Sequence, residues 1–196
     1  GDETHASMER FWDIVLTWRL GVLDLPVMYG IATDDAHNYH DEAIGKSNPG
    51  RGWVVVRSRY LTPEHLIRAM EVGDFYASSG VVINAINHDT KGIELSIEQI
   101  SDEHYTTYFI GTRKDFDPAH EPYRAGNGDP VRVTHRYSDS IGTVLAKVEG
   151  ISPSYTYQGD EIYVRAKVVS TKIMINPYKE GEVECAWIQP IVLNQN

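Results

Sequence analysis

The chain has 196 residues, with 18 Lys and Arg against 28 Asp and Glu, a net charge of -10, a single cysteine and 41% hydrophobic residues. That length allows one large domain or two small ones with a core that needs no covalent staple, so disulfide-rich and collagen-like classes are excluded. Acid is spread evenly, 12 acidic against 7 basic residues up to residue 85 and 16 against 11 after it, so no nucleic-acid partner is expected.

No apolar run approaches the roughly 18 residues of a membrane span. The opening GDETHASMERF lacks the basic and apolar regions of a secretory leader. A helix signal follows Gly1 almost at once, with no initiator Met, so the chain is expected to be a piece of a longer protein. Residues 7–20 read as that helix: Ser7 can cap it, Phe11, Ile14, Val15 and Trp18 repeat at i, i+3, i+4 and i+7, and Gly21 is a stop. Residues 27–33 (VMYGIAT) and 53–57 (WVVVR) are apolar runs of the kind buried on both faces of a parallel sheet. Between Thr62 and Gly73 a second helix is expected, with Pro63 at its first position. This order predicts α/β structure over residues 1–85.

From residue 86 to 196 the pattern changes. Ile93, Leu95 and Ile97 alternate with polar neighbours, and HYTTYFI, VRVTH, TVLAKV, EIYVRAKVV and VECAWI follow between turn residues, which predicts an antiparallel β-sandwich. Residues 113–129 show no periodicity and are expected to form a long loop. Trp12, Trp18, Trp53 and Trp187 are assigned to the core, and Cys185 to a buried apolar position.

The chemistry concentrates at DDAHNYHDE, residues 34–42, directly after the run at 27–33. In an extended segment Asp35 and His37 point to the same side, and a carboxylate beside an imidazole suits a divalent ion. Two ligands are too few for a complete site, which normally takes three from protein. Asp34, His40 and His5 are accessory candidates, and Arg51, between two glycines, is a candidate for phosphate contact. Asp34 also fits a turn or cap.

GIATDDAH at 30–37, PGRGW at 49–53 and DFYASSG at 74–80, together with Glu9 and Trp12-Asp13, resemble the C-terminal part of the polymerase and histidinol phosphatase (PHP) family of metal-dependent phosphoesterases. IYVRA at 162–166 and AWIQP at 186–190 extend the likeness more weakly. The resemblance implies a partial TIM-like barrel over residues 1–85 followed by the β-sandwich. It also implies Asp35 and His37 as ligands of manganese, zinc or iron, and a small phosphorylated substrate. The family's His-x-His motif is missing from this chain. The metal centre is therefore expected to be incomplete and the chain inactive alone, its partner being the missing N-terminal half of the barrel or a second chain. The alternative is a noncatalytic β-sandwich that binds a partner on an α/β scaffold.

Overall fold

The computed structural model describes residues 5–124 and 126–193. In chain order these form helix α1 (Met8–Gly21), strand β1 (Trp53–Val56), helix α2 (Pro63–Glu71), and strands β2 (Phe75–Ser78), β3 (Ile83–His88), β4 (Gly92–Ile97), β5 (Tyr105–Arg113), β6 (His120–Arg124), β7 (Pro130–Tyr137), β8 (Thr143–Glu149), β9 (Ser154–Thr156), β10 (Glu161–Ile173) and β11 (Val183–Val192). One sheet has six strands in the order β1-β2-β11-β10-β5-β8, a second has three in the order β3-β4-β9, and β6 and β7 form a ribbon. Every ladder between these strands is antiparallel. The expected partial barrel with parallel α/β structure is therefore corrected to antiparallel sheets carrying two helices. The six-stranded sheet takes strands from both sides of residue 85.

Residues 57–74, which contain α2, are long enough for a parallel crossover, but their ends are tied together. Arg57 N donates to Asp74 O at 2.9 Å, and Arg57 Nε to Asp74 Oδ1 at 2.9 Å. The chain must then return beside β1 in the opposite direction, which sets Trp53 opposite Ser78 and Val56 opposite Phe75. The apolar run of β1 belongs to an edge strand, and Trp53 is 41% exposed, which corrects its expected core position.

Residues 27–33 form no strand. Side chains hold this segment instead: Trp12 Nε1 donates to Met28 O at 2.9 Å, while Gln189 accepts from Gly30 N at 2.9 Å and donates to Gly30 O at 2.7 Å. The expected loop at 113–129 contains β6, whose sequence HEPYR lacks the apolar alternation of a half-buried strand and so gave no signal.

The two larger sheets share one core. Ile93, Leu95 and Ile97 of β4 meet Val164, Ala166 and Val168 of β10, with Phe109 and Ile188 beside them. Alternate residues of a strand face opposite ways, so Tyr163 and Arg165 point to the other side of β10, where α1 covers them. Leu16 packs there on Ile162 and Tyr163, and Thr17 Oγ1 lies 2.8 Å from Thr112 Oγ1.

Ser7 caps α1, its Oγ accepting from Arg10 N at 3.2 Å. The helix buries Asp13, Ile14, Leu16 and Thr17 rather than the whole stripe of Phe11, Ile14, Val15 and Trp18. Phe11 is 55% exposed and Met8 80%. No helix among the described residues is long and apolar enough to cross a membrane.

Candidate functional site

Residues 34–52 hold the cluster singled out by sequence, and buried Asn48 organises them. Its Nδ2 donates to Asn38 O at 2.7 Å and Asp41 O at 3.0 Å, while its Oδ1 accepts from Ala43 N at 3.1 Å. His37 N and Asn38 N both donate to Ser47 O at 2.9 Å. An irregular loop keeps one conformation when its peptide groups are satisfied internally in this way.

Asp34 anchors that loop. Its carboxylate accepts from Gly50 N at 2.8 Å, Arg51 N at 2.7 Å and Gly52 N at 2.5 Å, and the left-handed φ of +80° at Gly50 permits the turn. The guanidinium of Arg51 is filled by acceptors of the chain rather than left open to a phosphate. Nε donates to Asn176 O at 2.7 Å, Nη2 to Asn176 Oδ1 at 2.8 Å and Asn48 Oδ1 at 2.9 Å, and Nη1 to Lys46 O. With Tyr178 under its plane at 5.8 Å, Arg51 joins the 34–52 loop to the β10–β11 connection.

Asp35 and His37 stand clear of this network, their side chains 86% and 70% exposed. Asp35 has a left-handed φ of +49°, which Asp tolerates better than most residues. His37 Nδ1 lies 2.5 Å from the backbone oxygen of Asp35 and 3.8 Å from its Oδ1. A carbonyl oxygen only accepts, so in the neutral ring this contact selects the Nδ1–H tautomer and leaves the Nε2 lone pair available. Metal-ligating histidines are commonly oriented by such a carbonyl behind the other ring nitrogen. His40 and His5 are exposed and do not complete the set. Among the described residues no three His, Cys, Asp or Glu side chains gather closely enough to hold a metal ion.

Beside the loop lies an open cleft of about 570 Å³, lined by Met8, Phe11, Trp12, Met28, Ile31 and Trp187. A recess of about 760 Å³ adjoins it, lined by Asp34, Asp35, Tyr178 and Glu182, and Thr33, Arg51, Ser79 and Trp187 border both. Asp35 therefore stands in an acidic hollow next to an apolar one.

A second polar group is closed. Under α1, Asp13 accepts from Tyr163 Oη at 2.8 Å, Arg165 Nε at 2.8 Å and Arg165 Nη2 at 2.6 Å, with the Trp12 ring 5.0 Å from the guanidinium. Burial disfavours the Arg165 charge, but the bonded Asp13 carboxylate outweighs it and holds the pKa above its ordinary value. Burial and the Asp13 charge push the Tyr163 hydroxyl up. Glu161, fully buried, accepts from Tyr155 Oη at 2.6 Å, Gln158 N at 2.9 Å and Gly159 N at 3.0 Å. Burial would raise its pKa, and these bonds lower it below the usual carboxylate value.

Asp13 and Arg165 enter the sequence resemblance without a role, and neither Glu161 nor Asn48 is marked by the sequence. Alternation in EIYVRAKVV does place Arg165 opposite the Val164 and Ala166 face, but nothing local identifies its partner 152 residues away. The chain matches no family model, no curated protein and no solved structure.

Proposed function

We propose that this chain supplies one part of the divalent-metal site of a PHP-type phosphoesterase, with Asp35 and His37 as ligands, and that it is inactive alone. The observation that carries the reading is the His37 ring, whose Nδ1–H is taken by the Asp35 carbonyl on an internally bonded loop while Nε2 stays available beside an exposed carboxylate. A carboxylate with a neutral imidazole suits manganese, zinc or iron. An ion bound there would supply Lewis-acid chemistry, for activation of a water and for neutralisation of phosphoryl charge. Asp35 and His37 hold it, and Asp34 and Asn48 fix the loop that presents them. The antiparallel sheets lend this reading no support, which rests on that presentation and on the resemblance at 30–37, 49–53 and 74–80.

Two ligands leave the site unfinished. The apolar cleft next to Asp35 is unfinished in the same sense, since Met8, Phe11 and Ile31 face solvent. A single upstream segment or second chain seated in the cleft accounts for both, covering those side chains and bringing the remaining ligands. Hydrolysis of p-nitrophenyl phosphate with added manganese tests the proposal. This chain is expected to show none, a form extended upstream is expected to turn over, and Asp35→Asn or His37→Ala is expected to abolish turnover in the extended form. Full activity in both variants would overturn the assignment.

The cleft also favours a second reading, a noncatalytic interaction module whose partner covers Met8, Phe11 and Ile31. On that reading Asp35→Asn and His37→Ala leave partner binding unchanged and the extended form has no phosphatase activity.

A further inference from the structure

The β6–β7 ribbon carries a histidine pair with no part in the site above. The register sets His120 opposite Tyr137 and Pro122 opposite His135, so His120 and His135 are diagonal neighbours on one face. Their Nδ1 atoms are 2.8 Å apart and their ring centroids 4.9 Å. Both residues are exposed, so an ion can approach from solvent. The rings are nevertheless held: Trp18 of α1 meets His120 edge-on at 5.8 Å, and Tyr137 flanks His120 at 5.2 Å and His135 at 6.4 Å. Arg10, also on α1, donates to Ser138 O at 2.6 Å and to Ile141 O, which fixes the end of β7.

Two Nδ1 atoms at that distance share one proton, since one nitrogen must donate and the other accept. The same convergence nearly matches two imidazoles on one ion. With metal–nitrogen bonds of about 2.0–2.1 Å in tetrahedral geometry the nitrogens lie about 3.3 Å apart, so the pair has to open by only about half an ångström. Coordination through both Nδ1 atoms moves the shared proton to Nε2 of the donor ring, so both imidazoles stay neutral and no net proton is released. Imidazole donors select copper, nickel or zinc over magnesium and calcium, with copper(II) the tightest.

We infer that His120 and His135 form a two-imidazole surface site for a late first-row divalent ion, weaker than a centre with three or four protein ligands and with water in the remaining positions, which staples β6 to β7 beside Trp18. The intact chain, titrated with copper(II) chloride and separately with zinc chloride in a non-coordinating buffer, tests it. Copper is expected to quench Trp18 fluorescence, and zinc to shift the Nδ1 resonances of His120 and His135 in long-range proton–nitrogen spectra. His120→Asn and His135→Asn are each expected to weaken the binding read at these two rings at least about tenfold. Trp18→Phe is expected to remove the quenching attributable to that ring while retaining the zinc shifts, separating the probe from the site. The inference is overturned if the two imidazoles do not shift in the wild-type chain, a readout that needs no variant to fold, or if the Asn variants titrate within about twofold of it.

Discussion

The two sides of α1 follow opposite rules. Against β10 the helix presents a carboxylate, and that side is sealed: Asp13 and Arg165 are buried, and Asp13 takes a third bond from Tyr163. Toward residues 27–33 it presents Met8 and Phe11, and that side is open. Polarity alone would assign the two sides the other way. What decides is whether partners are present, because a charge can be buried when hydrogen-bonded and paired, while an apolar side chain stays exposed where nothing covers it.

The largest expected effect lies on the sealed side. Asp13→Ala leaves the Arg165 guanidinium buried without its counter-charge and is expected to lower unfolding free energy by about 3–5 kcal/mol in urea titration. The paired replacement Asp13→Leu with Arg165→Met removes both charges and is expected to recover most of that loss. If Asp13→Ala unfolds at the same urea concentration as wild type, α1 is not locked by this pair and the contrast between its two sides is broken.

Glu161 applies the same rule at the first position of β10, and Glu161→Gln is expected to destabilise by about 1–3 kcal/mol near neutral pH. The sign with pH follows from its lowered folded-state pKa. Its contribution is fully present above the ordinary carboxyl range and is lost as pH falls through the folded value. Thermal unfolding between about pH 3 and 7 should therefore decline less steeply toward acid in Glu161→Gln than in wild type. Equal slopes would show that the buried carboxylate is not a source of the acid limb.

Next comes the loop, where Asp34 and Asp35 are neighbours with different duties. Asp34→Ala removes the acceptor for three backbone N–H groups and is expected to cost about 1–2 kcal/mol, with faster amide exchange at Gly50, Arg51 and Gly52. Asp35→Asn is expected to leave both stability and exchange unchanged. Equal effects from the two would erase the distinction between anchor and presented ligand.

What the sequence displayed was local chemistry. The Ser7 cap, the Pro63 start of α2 and the inward alternation of Ile93, Leu95 and Ile97 depend on neighbours a few residues away, and each is legible from the chain alone. What it concealed was every feature set by a distant partner. The direction of β2 hangs on the Arg57–Asp74 tie, the buried face of α1 on Arg165, and the inward-bonded fork of Arg51 on Asn176, 125 residues away. Residues 27–33 carry strand-forming composition but meet a single side-chain amide, Gln189, in place of a ladder. For the candidate site, Asp35 and His37 were visible because Asp-x-His spacing is local, whereas Asn48, which organises their loop, looks like any polar loop residue.

The smallest expected effect tests the open side, and it separates covered from uncovered surface most sharply. Phe11→Ser and Ile31→Ser remove large apolar groups, and in a closed core each would cost several kcal/mol. Both side chains are already more than half exposed, so burial contributes little to holding them in place. Each substitution is expected to change unfolding free energy by no more than about 0.5 kcal/mol while reducing the binding of anilinonaphthalene sulfonate to the folded chain. A loss above about 2 kcal/mol would mean that the cleft is already covered in the free chain, and the need for an occupant beside Asp35 would disappear. Unchanged stability with weakened dye binding is the outcome that the open face of α1 requires, since it identifies apolar surface that contributes to association rather than to folding.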